Sequence, residues 1–303
     1  PTQTGVANAT VTMNAASMDN SGFEFSATYR NHDHPFKYDV SANMSTLKNK
    51  VTSLGFGTKS YITGAYATYV GQEIGQFYGW VYEGIARTQD DLNNHATQQG
   101  ANVGDCLYKD ISGPDGTPDG VIDAYDQTVL GSGLPKVNFG LSAHMEYKNF
   151  DLSISTYGVL NYHVSDDIYN SLNSCYGWGN KDVAMADANR FSADGSTYLS
   201  SVPRTYAANK ATLAWNDLFS SRKIQNAAYW KIANVELGYN FPDQWFKGLV
   251  SGVRVYVSAQ NLYTFTGYKG YNVDYAGGTF TPGYNFCSFP SARSFMAGLH
   301  FTF

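Results

Sequence analysis

Over long stretches of this chain apolar and polar residues alternate one for one. That is the period at which side chains fall on opposite faces of an extended strand, and it does not fit a helix. Phe36, Tyr38, Val40, Ala42 and Met44 alternate with Lys37, Asp39, Ser41, Asn43 and Ser45. Phe139, Leu141, Ala143, Met145 and Tyr147 alternate with Gly140, Ser142, His144 and Glu146, and Val253, Val255, Val257 and Ala259 with Arg254, Tyr256, Ser258 and Gln260. The last residues repeat the pattern, with Phe295, Ala297, Leu299, Phe301 and Phe303 on one face. The periodicity predicts nine strands, at 21–31, 36–47, 60–70, 76–85, 138–148, 150–160, 229–241, 252–264 and 293–303.

The connections choose between the folds that alternation allows. Short ones (31–35, 71–75, 148–150 and 242–251) alternate with long ones (48–59, 86–136, 162–228 and 265–291). Residues 1–20, rich in Asn, Thr, Ala and Ser, read as a loop. Structureless loops of this length count against a compact soluble sandwich. Strict alternation of short turns with long loops is the habit of transmembrane β-barrels, with the turns periplasmic and the loops extracellular. The expected fold is therefore all-β, an antiparallel transmembrane β-barrel. The alternation closes only if 60–70 is a wall strand. Nine is an odd number, and an open sheet would leave backbone unpaired in lipid. The chain is thus expected to be the C-terminal part of a larger barrel.

Composition agrees. The chain of 303 residues is 16% aromatic and only 15% charged, with 30 glycines and 24 tyrosines. Mean hydropathy is −0.32, and no apolar run approaches the roughly 18 residues a transmembrane helix needs. A net charge of −5 offers no basic footprint, so nucleic acid is not an expected partner. Cys106, Cys175 and Cys287 all fall in predicted loops. One disulfide or three free thiols are both open, and no Cys/His spacing points to zinc.

Five ordered blocks resemble a known family, the SusC/RagA-type TonB-dependent outer-membrane transporters. They are NSGFEFSATYRN (20–31), GQEIGQFYGWVYEGI (71–85), YKDISGPDGTPDGVIDAYDQTVLGSGLPKVNFGLS (108–142), YWKIANVELGYNFP (229–242) and VRVYVSAQNLYTFTGYKGYNVD (253–274). Ser21, Ile232-Ala233 and Asn272-Val273-Asp274 depart from the family's usual wording. The resemblance implies a barrel of about 22 strands, of which these would be roughly the last nine. It further implies TonB-energised uptake of oligosaccharides or peptides through a plug domain and TonB box that are absent here. A SusD-like surface lipoprotein would be the partner, and the bacterial outer membrane the location. A siderophore-type receptor and a non-transporting surface adhesin are the alternatives.

The sharpest chemical motif lies in the expected extracellular segment 108–136. Asp115, Thr117, Asp119, Val121 (through its carbonyl), Asp123 and Asp126 follow calcium-loop spacing, with Gly120 at the turn and Asp where Glu is usual at the last position. Ca²⁺ (or Mg²⁺) stapling this loop is one reading, and an Asp/Gly turn that caps its own backbone is the other. Loop aromatics Tyr176, Trp178, Tyr198, Tyr206, Trp215, Tyr268 and Tyr271 are candidates to grip substrate, or to pack loops together. His32 and His34 sit at a predicted turn, and His144 and His300 on polar strand faces. No Ser/His/Asp or Cys/His constellation supports an enzyme.

Overall fold

The computed structural model describes residues 16–175, 180–183, 190–192, 197–205, 215–246, 250–274 and 277–303. Its dominant element is one antiparallel sheet of seven strands. They are β1 (Glu24–Asn31), β2 (Phe36–Thr46), β3 (Val137–Tyr147), β4 (Phe150–Leu160), β5 (Tyr229–Asn240), β6 (Gly252–Thr266) and β7 (Ser294–Thr302), each paired with its neighbour in this order. Pairing is continuous along most of each strand: β2 and β3 run in register from Phe36↔Tyr147 to Thr46↔Val137 without a break. Between Ile232 and Asn234 the register of β5 shifts twice: Ala233 is an extra residue against β4, whereas against β6 it stands opposite two residues, Asn261 and Leu262. Among the described residues the sheet does not close on itself.

Seven strands rather than nine is a correction, and strand length explains it. The predicted strand at 60–70 is a hairpin of two four-residue arms, Ser60–Thr63 and Tyr66–Tyr69, turning at Gly64 with φ 54°. The predicted strand at 76–85 breaks into Gln76–Gly79 and Tyr82–Ile85, which belong to different sheets. Crossing hydrocarbon takes about 9–11 residues, so none of these arms spans a membrane. Tyr66, Ala67 and Thr68 are moreover buried in succession, a pattern of enclosure rather than of a wall. Removing two strands keeps the alternation of connections, because 47–136 becomes one long excursion from β2 to β3. The loops expected at 1–20 and 48–59 also hold a short hairpin extension, Ser17–Ser21 against Lys48–Ser53.

Exposure shows what kind of sheet this is. The apolar face is the open one: Phe25 is 61% exposed, Phe295 71% and Leu299 63%. A water-soluble sandwich would bury these side chains. Aromatic rings gather at both ends of that face. Phe36, Tyr147, Phe150, Tyr239 and Phe241 cluster at one end, and Trp230, Tyr263 and Phe265 at the other. Trp230 and Tyr239 are nine residues apart on β5. That is about 30 Å of strand, or roughly 23 Å of height at a tilt of about 40°, close to the ~25 Å apolar band of barrels.

The polar face holds its charges in pairs. Arg254 on β6 reaches across β5 to Asp151 on β4, with Nε donating to Oδ2 at 3.0 Å and Nη2 donating to Oδ1, while Nη2 also donates to Glu236 Oε1 at 2.8 Å. Gly238 lies under this bridge, and a Cβ there would stand 2.4 Å from Arg254 Nη2 and 2.5 Å from Asp151 Oδ2. His144 bridges Ser153 and Glu146 on the same face. Gly238→Val is therefore expected to part the ion pair and lower stability by about 2 kcal/mol, read as a lower urea midpoint of the purified protein in detergent. Gly267→Val is the control, because nothing lies within 4 Å of a Cβ at that position. Equal midpoints for the two variants would contradict the bridge.

Candidate functional site

Beyond the end of the sheet marked by Trp230 and Phe265, the three long connections (47–136, 161–228 and 267–293) fold against one another. Cys106, Tyr108, Ile122 and Trp215 form one buried cluster, joined by Trp80 and Tyr82. Val159, Tyr162, Val164, Ala227, Tyr229, Tyr268 and Val273 form another, which seats the connections on the polar-face tops of β4 and β5. A polar clamp ties the second connection to the third: Tyr268 Oη donates to Asp166 Oδ2, and Asn285 Nδ2 donates to the same oxygen at 3.0 Å. Burial keeps the Cys106 thiol protonated, pushing its pKa up to about 12, and raises that of Cys175 as well. Cys287 is an exposed free thiol.

The acidic segment closes on itself. Asp115 Oδ1 accepts from Thr117 N at 3.0 Å and from its hydroxyl at 2.8 Å, contacts that hold the carboxyl below its usual pKa. Asp119 Oδ1 accepts from Val121 N at 3.0 Å, and Asp123 Oδ1 from Tyr125 N at 2.7 Å. Asp126 is fully buried: its Oδ1 accepts from Ile111 N and Ser112 N, and its Oδ2 from Asp123 N at 2.8 Å. Among the described residues no three His, Cys, Asp or Glu side chains converge as a metal site. Asp115, Asp119 and Asp123 close short Asx turns on the amides of Thr117, Val121 and Tyr125, and Asp126 accepts from three amides, so this spacing caps its own backbone.

Of the candidate aromatics, Tyr176, Trp178 and Tyr206 lie outside the described residues. Trp215 is buried at 4% exposure, with its ring N–H donating to Gln99 O and its carbonyl accepting from Tyr108 Oη. Tyr268 is buried in the clamp. Tyr198 packs beside Phe191 and Arg87. These three hold loops together. Tyr271, 60% exposed, is the described candidate left open. It lines a cavity of about 340 Å³ with Asn261, Asn272, Asp274, Lys231 and Arg293. Lys231 is already engaged there: its Nζ pairs with Asp274 Oδ2, while Tyr157 Oη donates to Asp274 Oδ1 at 3.2 Å. Alternation flagged Lys231 and Tyr157 only as strand residues. Their meeting with Asp274, 43 positions beyond Lys231, needs the folded third connection.

A paired sheet with an open apolar face, aromatic rings at both its ends and ion pairs across its polar face is the wall of a transmembrane β-barrel. No protein-family model matches the chain. It is 28% identical over 309 residues to TonB-dependent receptor P3 of Formosa agariphila, covering 96% of this chain and 29% of that protein. It is 27% identical over 314 residues to TonB-dependent receptor SusC of Bacteroides thetaiotaomicron, covering 98% of this chain and 27% of that one. The fold matches the solved structure of the RagAB peptide transporter with a TM-score of 0.75 at 21% identity, over 95% of this chain and 29% of that one. Over nearly its whole length the chain is thus similar in sequence to proteins named as TonB-dependent receptors, SusC among them, and in fold to the RagAB transporter. It spans under a third of the length of these relatives.

Asp126→Ala should leave three amides without a partner at about 1 kcal/mol or more each. The expected result is new protease cleavage within 108–136, while Asp115→Ala, on an exposed turn, remains resistant. Cleavage of both variants alike would contradict the self-capped loop, and cleavage of the unaltered protein once EDTA is added would favour the cation reading.

Proposed function

We propose that this chain supplies wall strands and external loops of an outer-membrane nutrient importer of the SusC/RagA type. The observation that carries the reading is the coincidence of two independent facts. The chain aligns over nearly its whole length with part of TonB-dependent receptors, and its sheet turns an apolar face outward while keeping its charges on the other. The free edges of β1 and β7 call for further strands, because unpaired backbone is not tolerated in lipid. In this reading those strands complete a larger barrel, and the imported solute is an oligosaccharide or a peptide.

The interlocked connections mark the outward end. They are long, polar and fastened by buried contacts, which suits a platform for a SusD-like lipoprotein that hands the solute to the barrel. Energy would come from TonB through a plug domain. The prediction is tested in cells and in extracts. Purification from outer membranes should bring a surface lipoprotein along, and deleting TonB should abolish uptake of the solute. Recovery of the protein without such a partner, with uptake indifferent to TonB, would contradict the importer.

A further inference from the structure

Where β5 begins and β6 ends, the second and third connections leave two adjoining clefts of about 390 and 330 Å³. Both are of the size of ligand pockets. They share Tyr169, Arg222 and Lys269 and so form one groove, and Lys223 lines the larger part. Among the described residues neither lining contains an Asp or a Glu, although the chain carries 25 acidic residues against 20 basic ones.

Among the described residues the ion pairs within 4 Å involve Arg30, Lys136, Arg204, Lys231, Arg254 and three histidines rather than Arg222 or Lys269, while Lys223 feels the charge of Asp217. Lys223 Nζ donates to the backbone carbonyl of Asp217. Lys269 Nζ stands 5.9 Å from the centre of the Tyr169 ring. Arg222 lies near Cys106 and Cys175, whose thiols burial keeps neutral. One further donor waits in the wall. Gln225 Oε1 accepts from Lys269 N at 3.1 Å, which orients the amide, and its buried Nε2 has no partner. Three cations and an unmatched N–H around one groove ask for an acceptor with negative charge, and a guanidinium fork suits a carboxylate or a sulfate.

The rest of the lining points to a sugar. Asn170 and Asn173 use their NH₂ groups within the loop, on Ser165 Oγ and Tyr169 O, which leaves each amide oxygen as an acceptor for a hydroxyl. Tyr82 and Tyr169 add aromatic surface.

We propose that this groove binds the carboxylate or sulfate groups of an acidic oligosaccharide. The inference deepens the importer reading by naming its substrate class, and rests on that reading for the delivery of the sugar. Calorimetry on the intact purified protein, with any partner it carries, tests the groove directly. The probes are trigalacturonate, a sulfated disaccharide, maltotriose and hexaglutamate. At least one anionic sugar should bind, at least about tenfold more tightly than maltotriose. Affinity should fall about tenfold between about 50 and 500 mM NaCl. Which of the two sugars binds separates carboxylate from sulfate. Arg222→Gln and Lys269→Gln should each weaken binding about tenfold. Lys269 is exposed, so its variant keeps the test decisive if Arg222→Gln does not fold. Equal binding of maltotriose, tighter binding of hexaglutamate, no binding of either acidic sugar, or indifference to both substitutions would each overturn the proposal. Uptake by cells is scored separately. Binding without TonB-dependent uptake would count against the importer, and uptake without binding would count against the groove alone.

Discussion

Backbone N–H and C=O groups placed in hydrocarbon find no water to bond with, so a strand that crosses a bilayer must be paired along its length. That requirement arranges this molecule. It holds β2 and β3 in unbroken register over eleven pairs, and it sorts residues by face. Once the register is set, a slip of one position would carry Arg254, Asp151 and Glu236 into lipid and Phe295 and Leu299 into the polar interior. Glycine gives this wall local freedom. The bridge from Arg254 to Asp151 exists because Gly238 leaves the intervening strand bare, and Gly298 likewise makes room for the Tyr256 ring.

The connections obey the opposite rule, because they meet water and can bury apolar groups against one another. Their ordinary enclosed clusters, around Tyr108 and Trp215 and around Tyr162 and Tyr268, lie at and beyond one end of the sheet. The Asp166–Tyr268–Asn285 clamp and the self-capped acidic segment then give the loops a defined shape. A groove lined by several cations is consistent with that stiffness, since packing holds its charges in place.

Period-two alternation was enough to place all seven wall strands to within three residues, because a lipid face and a polar face impose opposite chemistry at every other position. The same signal misled at 60–70 and 76–85. Those segments are extended and aromatic, but Gly64 and the break after Gly79 cut them into arms too short to cross, and chain length between turns carried that information better than alternation did. The polar network was half visible: Arg254 and Glu236 stand out as charges in mid-strand, whereas the role of Gly238 appears only when three strands are side by side. Trp215 and Tyr268 show why loop aromatics cannot be read for function from sequence. Whether a ring meets solvent depends on residues a hundred or so positions away, such as Tyr108 and Asp166. The acidic spacing from Asp115 to Asp126 was legible as a motif, and which backbone amides it caps appears only in the fold.

The central claim is that seven strands turn one face to lipid and that 60–70 is not among them. Spin labels placed singly along β6, along β7 and at 60–69, in the protein in native outer-membrane vesicles, measure this directly. Labels at 255, 257, 297 and 299 should collide with oxygen dissolved in lipid. Those at 254, 256, 296 and 298 should not, giving a period of two, and labels at 60–69 should meet only water-soluble reagents or be buried. Loss of the alternation on β6 and β7, or lipid contact at 60–69, would contradict the wall described here.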